Sequence, residues 1–160
     1  FEHFSQIINY NNQDIIKNDI NILYDFSNGS PGLALEYYTE DIHNIINSIV
    51  TIFKENKCLS SEILDLSVKV GSLNNDQYKS FLSIIKFILS NLIKIFSGVN
   101  IQNQFISEIK KTFEDLKNYI NINKCITTMN YIDKHQNDLF IFNLDKKIFT
   151  LNLFSELSKN

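Results

Sequence analysis

The 160-residue chain has no arginine and no tryptophan, a single proline and methionine, two cysteines and four glycines. Each shortage excludes something. Arginine grips phosphate and carboxylate bidentately, reads guanine and serves as the finger in nucleotide hydrolysis. Without it, a self-sufficient nucleic-acid reader or nucleotide hydrolase is disfavoured, and direct nucleic-acid binding is not expected. The cations are all lysines and the net charge is -3. Cys58 and Cys125 lie far apart with no Cys-x-x-Cys partner or Cys/His companion, so they read as buried thiols in a reducing compartment and not as a disulfide or metal site. Glycine-rich phosphate loops, dinucleotide-binding turns and nucleophile elbows are missing, and no cofactor is implied. A membrane span is also excluded. The apolar run Ile84 to Phe96 is interrupted by Lys86, Asn91 and Lys94, well short of the ~20 residues that crossing requires. No secretory signal opens the chain, which points to the cytoplasm. It starts with Phe1 in an already helical pattern, so a fragment of a longer protein is expected.

What remains is helical period. Hydrophobic residues make up 44% of the chain, mostly Ile, Leu and Phe among Asn, Lys and Ser, the bias of an AT-rich genome. Phe1, Phe4, Ile7 and Ile8 form a first stripe, and Ile15, Ile16, Ile20, Leu23 and Tyr24 a second that stops at Ser27-Asn28-Gly29. A third helix begins at Leu33, and the stripe Ile42 to Phe53 follows it. Thr39-Glu40-Asp41 suggests a break, with Thr39 as cap, and a domain boundary is placed there: residues 1–40 before it, residues 41–160 after it. One long bent helix is the alternative. Ser60-Ser61-Glu62 starts a helix that Gly71 ends. Asn74-Asn75-Asp76 opens the longest segment, closed by Ser97-Gly98, whose polar members Ser83, Lys86, Ser90, Lys94 and Ser97 form one solvated stripe on a central core helix. Amphipathic helices are expected over 104–122 and 123–142, and a last one from Asp145 to Leu157. Leu139-Phe140-Ile141-Phe142 is the only local candidate for a strand. The fold class is all-α, a helical bundle.

The residues offer little chemistry. His3, His43 and His135 are scattered on polar helix surfaces with no carboxylate or cysteine at ligand spacing. Glu62 with Asp65, and Glu114 with Asp115, sit on solvated faces with nothing to split their pKa values. Lys110-Lys111 and Lys146-Lys147 are too short for a nucleic-acid footprint. An enzyme would need a pocket gathering residues such as His43, Glu62 and Lys69, and the sequence gives no reason for them to meet.

The stretch Gly29-Ser30-Pro31-Gly32-Leu33-Ala34-Leu35 reads as a stop and restart between helices. Gly29 suits a left-handed stop, the Ser30 hydroxyl a cap and Pro31 the first helical position. It also resembles the Gly-Ser-Pro-Gly-Arg-Ala-Leu lid motif of the delta-prime subunits of the bacterial DNA polymerase III clamp loader. Asn143-Leu144-Asp145 and the apolar run to Leu157 are similar to the last collar helix of that family. The resemblance implies that residues 1–40 end an AAA+ lid and residues 41–160 form a collar that assembles with tau/gamma and delta subunits during DNA replication. In ATP-hydrolysing relatives the motif reads Gly-Ser-Leu-Arg-Asp-Ala-Leu. Its phosphate-sensing arginine falls at Gly32 here, which implies a subunit inert toward nucleotide, with no catalytic residue or cofactor, inside a polymerase complex. Leu33 departs from the family's arginine. The competing expectation is an unrelated helical protein-interaction scaffold, favoured if the first ~40 residues share one continuous core with the rest.

Overall fold

The computed structural model describes residues 1–11, 17–38, 40–54, 61–99 and 120–158. Among them every regular element is a helix: α1 (Glu2–Asn11), α2 (Lys17–Phe26), α3 (Pro31–Tyr37), α4 (Glu40–Lys54), α5 (Ser61–Gly71), α6 (Asn75–Phe96), α7 (Ile122–Ile141) and α8 (Lys146–Ser158). The all-α expectation is met. Leu139 to Ile141, the local strand candidate, is the last turn of α7. Residues 104–119 of the helix expected over 104–122, together with Cys58, Thr39, Lys110-Lys111 and Glu114-Asp115, lie outside the described residues.

Helix α6 is the axis of the molecule. Asn74 starts it with a reciprocal capping box: the Gln77 N–H donates to Asn74 Oδ1 at 2.9 Å and the Asn74 N–H to Gln77 Oε1 at 3.1 Å. Two of the otherwise unsatisfied donors of a helix start are thereby paired. Gly98, at φ +80°, ends the helix by letting the Val99 N–H return to the Lys94 carbonyl at 2.9 Å. Between these stops Tyr78, Phe81, Ile84, Ile85, Ile88 and Leu92 are all buried.

Five helices close a ring around that core, since α6 packs on α4 and α7, α7 on α8, α8 on α5, and α5 on α4. A latch fixes the α8 end of the ring. The Lys146 ammonium donates to the Leu73 carbonyl at 2.6 Å, and the Tyr78 hydroxyl meets the Lys146 carbonyl at 3.1 Å and Thr150 Oγ1 at 2.8 Å. Asp145 Oδ1 caps α8 by accepting from the Ile148 N–H at 3.0 Å.

Helices α1, α2 and α3 pack on one another and meet α6 through Phe26 against Phe87, ring centroids 5.2 Å apart, and Ser80 Oγ donating to Glu36 at 3.3 Å. The helix break falls between Tyr37 and Glu40, near the expected boundary. The buried side chains do not divide there: from Phe4 to Leu157 they belong to one hydrophobic cluster.

Candidate functional site

The corner between α2 and α3 is built by its backbone. Asn28 takes φ +50° and Gly29 φ +75°. The Gly29 N–H reaches the Tyr24 carbonyl at 2.9 Å and the Asn28 N–H the Asp25 carbonyl at 3.3 Å. This is the double return bond that satisfies the last carbonyls of a helix. A side chain at position 29 would be strained by its φ and would also press on Tyr24, whose ring lies 3.2 Å from the added Cβ. Pro31 occupies the first turn of α3, as its fixed φ favours. Ser30 departs from expectation. It sits at the cap position with extended backbone, but its hydroxyl makes no capping bond, so the restart rests on Pro31 and on the Ala34 N–H donating to the Ser30 carbonyl at 3.0 Å. Ala34 is fully buried and Leu35 packs against the core, whereas Leu33 is exposed. Gly32 faces open space, with nothing within 4 Å of an added Cβ. Packing therefore does not forbid an arginine there.

Under this corner lies a cavity of about 760 Å³ between α2, α3 and α6. The serine and lysine stripe of α6 is one of its walls, a placement that helical period could not distinguish from open solvent. Phe26, Phe87, Leu33 and Met129 supply apolar surface. Lys86 at this wall is already spent: its ammonium donates to Asp133 Oδ1 and, at 3.0 Å, to Gln136 Oε1 of α7. Tyr37 also lines the cavity, only 4% exposed. Burial pushes its phenol up from the ordinary value and the neighbouring Glu36 carboxylate adds to that, so it remains an O–H donor at neutral pH.

A second cavity, about 630 Å³, separates α4 from α5. Its floor is Ile45, Ile52, Leu66 and Leu73, and its walls include Ser48, Thr51, Glu62, Asp65 and Lys69. Two of the three residues not expected to meet, Glu62 and Lys69, thus share one groove. They stand two turns apart on one face of α5. Lys69 donates to Ser48 Oγ at 3.4 Å. The side chain of His43 lies outside the described part.

Elsewhere His3 is exposed, while His135 is half-buried with its ring 5.0 Å from Tyr131. Cys125 is a buried free thiol whose pKa burial pushes up to about 12. No group of three potential metal ligands occurs among the described residues, and no described helix is long and apolar enough to cross a membrane.

A further feature does not follow from helical period. At the α7–α8 corner Ile141 and Phe142 are 72% and 68% exposed, with Leu144 and Ile148 exposed beside them. Asn143 makes the turn at φ +48° and the Leu144 N–H returns to the Leu139 carbonyl at 2.9 Å. A sequence signal existed, since Ile141, Phe142 and Ile148 flank, and Leu144 sits within, an Asn-Leu-Asp turn that a solvated loop would keep polar.

No family model, no curated protein and no solved structure matches the chain.

Proposed function

We propose that this chain is a non-catalytic helical scaffold whose work is to hold a protein partner. The α7–α8 corner carries the reading. Ile141, Phe142, Leu144 and Ile148, within eight residues of one another around one turn, are all exposed, and large apolar side chains left in water close together in the chain supply the surface an interaction needs. The corner is preformed by the Lys146–Leu73 bond and the Tyr78–Thr150 pair, so little ordering would be needed on docking.

A narrower form is the clamp-loader collar, with tau/gamma and delta as partners in DNA replication. It rests on the Gly29 to Leu35 motif and on the glycine at position 32, and has no support from relatives. A collar interface should bury roughly 1,200 Å² or more in total. The unrelated scaffold is favoured by a specific observation, the single buried cluster that runs through residue 40. That continuity makes the broader reading the better supported.

Size-exclusion chromatography of the folded chain with purified tau/gamma and delta separates the two. Co-elution that Phe142→Asp abolishes supports the collar. No complex with either subunit removes the collar and leaves the unrelated scaffold.

A further inference from the structure

The cavity under the α2–α3 corner contains hydrogen-bonding capacity that the fold does not use. Tyr37 is 4% exposed, yet its hydroxyl has no hydrogen-bond partner among the described residues. The one fully enclosed side-chain polar atom lacking a partner among those residues is Ser5 Oγ, so the Tyr37 hydroxyl is not sealed off, and Tyr37 is one of the residues that line the cavity. Asn91, equally buried, spends one amide hydrogen on the Phe87 carbonyl at 2.8 Å and holds a second in reserve. The Ser83 and Ser90 hydroxyls and the Lys94 ammonium, which line the same space, are likewise unbonded to any described residue. Buried polar groups ordinarily find partners; here Tyr37 and Asn91 are the buried ones, and they share a concave space within the size range of small-molecule sites with the half-buried Ser90 and the exposed Ser83 and Lys94.

Their order along α6 indicates a shape. Glu36 is bonded to Ser80, which places Tyr37 near the Ser83 end of the wall, while Ser90 and Lys94 mark the other end. Ser83 to Lys94 spans about 16 Å of helix. Phe26 and Phe87 meet between the two ends. Among the described residues lining the cavity Lys94 is the one lysine without a carboxylate partner, which suits a singly charged head. A phosphate dianion would call for a second one, and Lys86 is already paired with Asp133.

We propose that this cavity binds an elongated small molecule with an apolar middle, a carboxylate held by Lys94 and Ser90, and an uncharged polar group that accepts from Tyr37. The site is separate from the α7–α8 corner and does not depend on what docks there.

Titration of the full chain with 10-hydroxydecanoate, followed by calorimetry and by amide chemical shifts, tests it, with decanoate and 1-decanol as comparison probes. The acid should bind at least 10-fold more tightly than 1-decanol, with shifts at Tyr37, Ser90 and Lys94. Lys94→Gln should remove that advantage. Tyr37→Phe, which deletes only an unpartnered hydroxyl and should fold normally, should abolish a several-fold preference for 10-hydroxydecanoate over decanoate. Lys69→Gln, in the other groove, should change nothing. Equal binding of acid and alcohol, shifts confined to residues 141–148, or no binding at millimolar probe would each overturn the proposal.

Discussion

Two helix stops in this molecule use the same local chemistry and do opposite things. At the α2–α3 corner and at the α7–α8 corner an asparagine takes the left-handed conformation, φ +50° at Asn28 and +48° at Asn143. In both, the next N–H returns to a carbonyl five residues back at 2.9 Å. The first corner turns its apolar neighbours inward, burying Phe26, Ala34 and Tyr37. The second turns Ile141, Phe142, Leu144 and Ile148 outward. Capping therefore decides where a chain turns, and the register of the flanking stripes decides what the turn faces. An inward corner is structure, whereas an outward apolar corner is surface kept for something else.

Substitutions can break that contrast, and the largest effect should come from the inward corner. Phe26→Ala removes a buried ring that meets Phe87 and should destabilise the fold by about 3–5 kcal/mol in urea unfolding. The outward counterpart, Phe142→Ala, should stay within about 0.5 kcal/mol of the parent. Comparable losses at both would erase the distinction.

The backbone comes next. Gly29→Ala should cost roughly 1–2 kcal/mol, because φ +75° disfavours a Cβ and Tyr24 stands 3.2 Å away. At the outward corner Asn143→Gly should stabilise by about 0.5 kcal/mol, since glycine adopts that conformation without steric cost. A gain of similar size is expected in the first turn of α3. Gly32→Ala replaces a helical glycine that faces open space and should add about 0.5–1 kcal/mol.

The thiol of α7 gives a pH signature. Burial raises Cys125 from 9.0 to about 12, so the folded chain holds its proton more tightly than the unfolded one. That contribution is complete below pH 9 and is lost as pH rises toward 12. Unfolding midpoints should fall across this window, and Cys125→Ala should make the fall shallower. Tyr78, also raised by burial, should keep part of the slope.

Much of the fold could be read in the sequence because its punctuation is explicit. Asn74-Asn75-Asp76 and Ser97-Gly98 bracket α6 as the observed caps do, and Gly71 closes α5. Ser30 was legible only as a capping type, and its hydroxyl goes unused because Pro31 already sets the restart. The cavities were not legible. Ser83, Lys86, Ser90 and Lys94 have the period of a solvated face, and only the packing of α2 and α3 against α6 turns that face into a wall. Ile141, Phe142, Leu144 and Ile148 were legible in part: apolar residues at an Asn-Leu-Asp turn are a signal, but core and partner surfaces use the same residues, so helical period does not separate them.

The most direct measurement places a photoreactive benzoylphenylalanine at position 142, and at the exposed Asn130 of α7 as control, in the cells that make the protein. The scaffold account predicts one discrete protein adduct from position 142 and none from position 130. The captured protein, once purified, should bind the parent chain and not Phe142→Asp. Equal labelling from both positions, or no adduct at 142 from a folded chain, would contradict it.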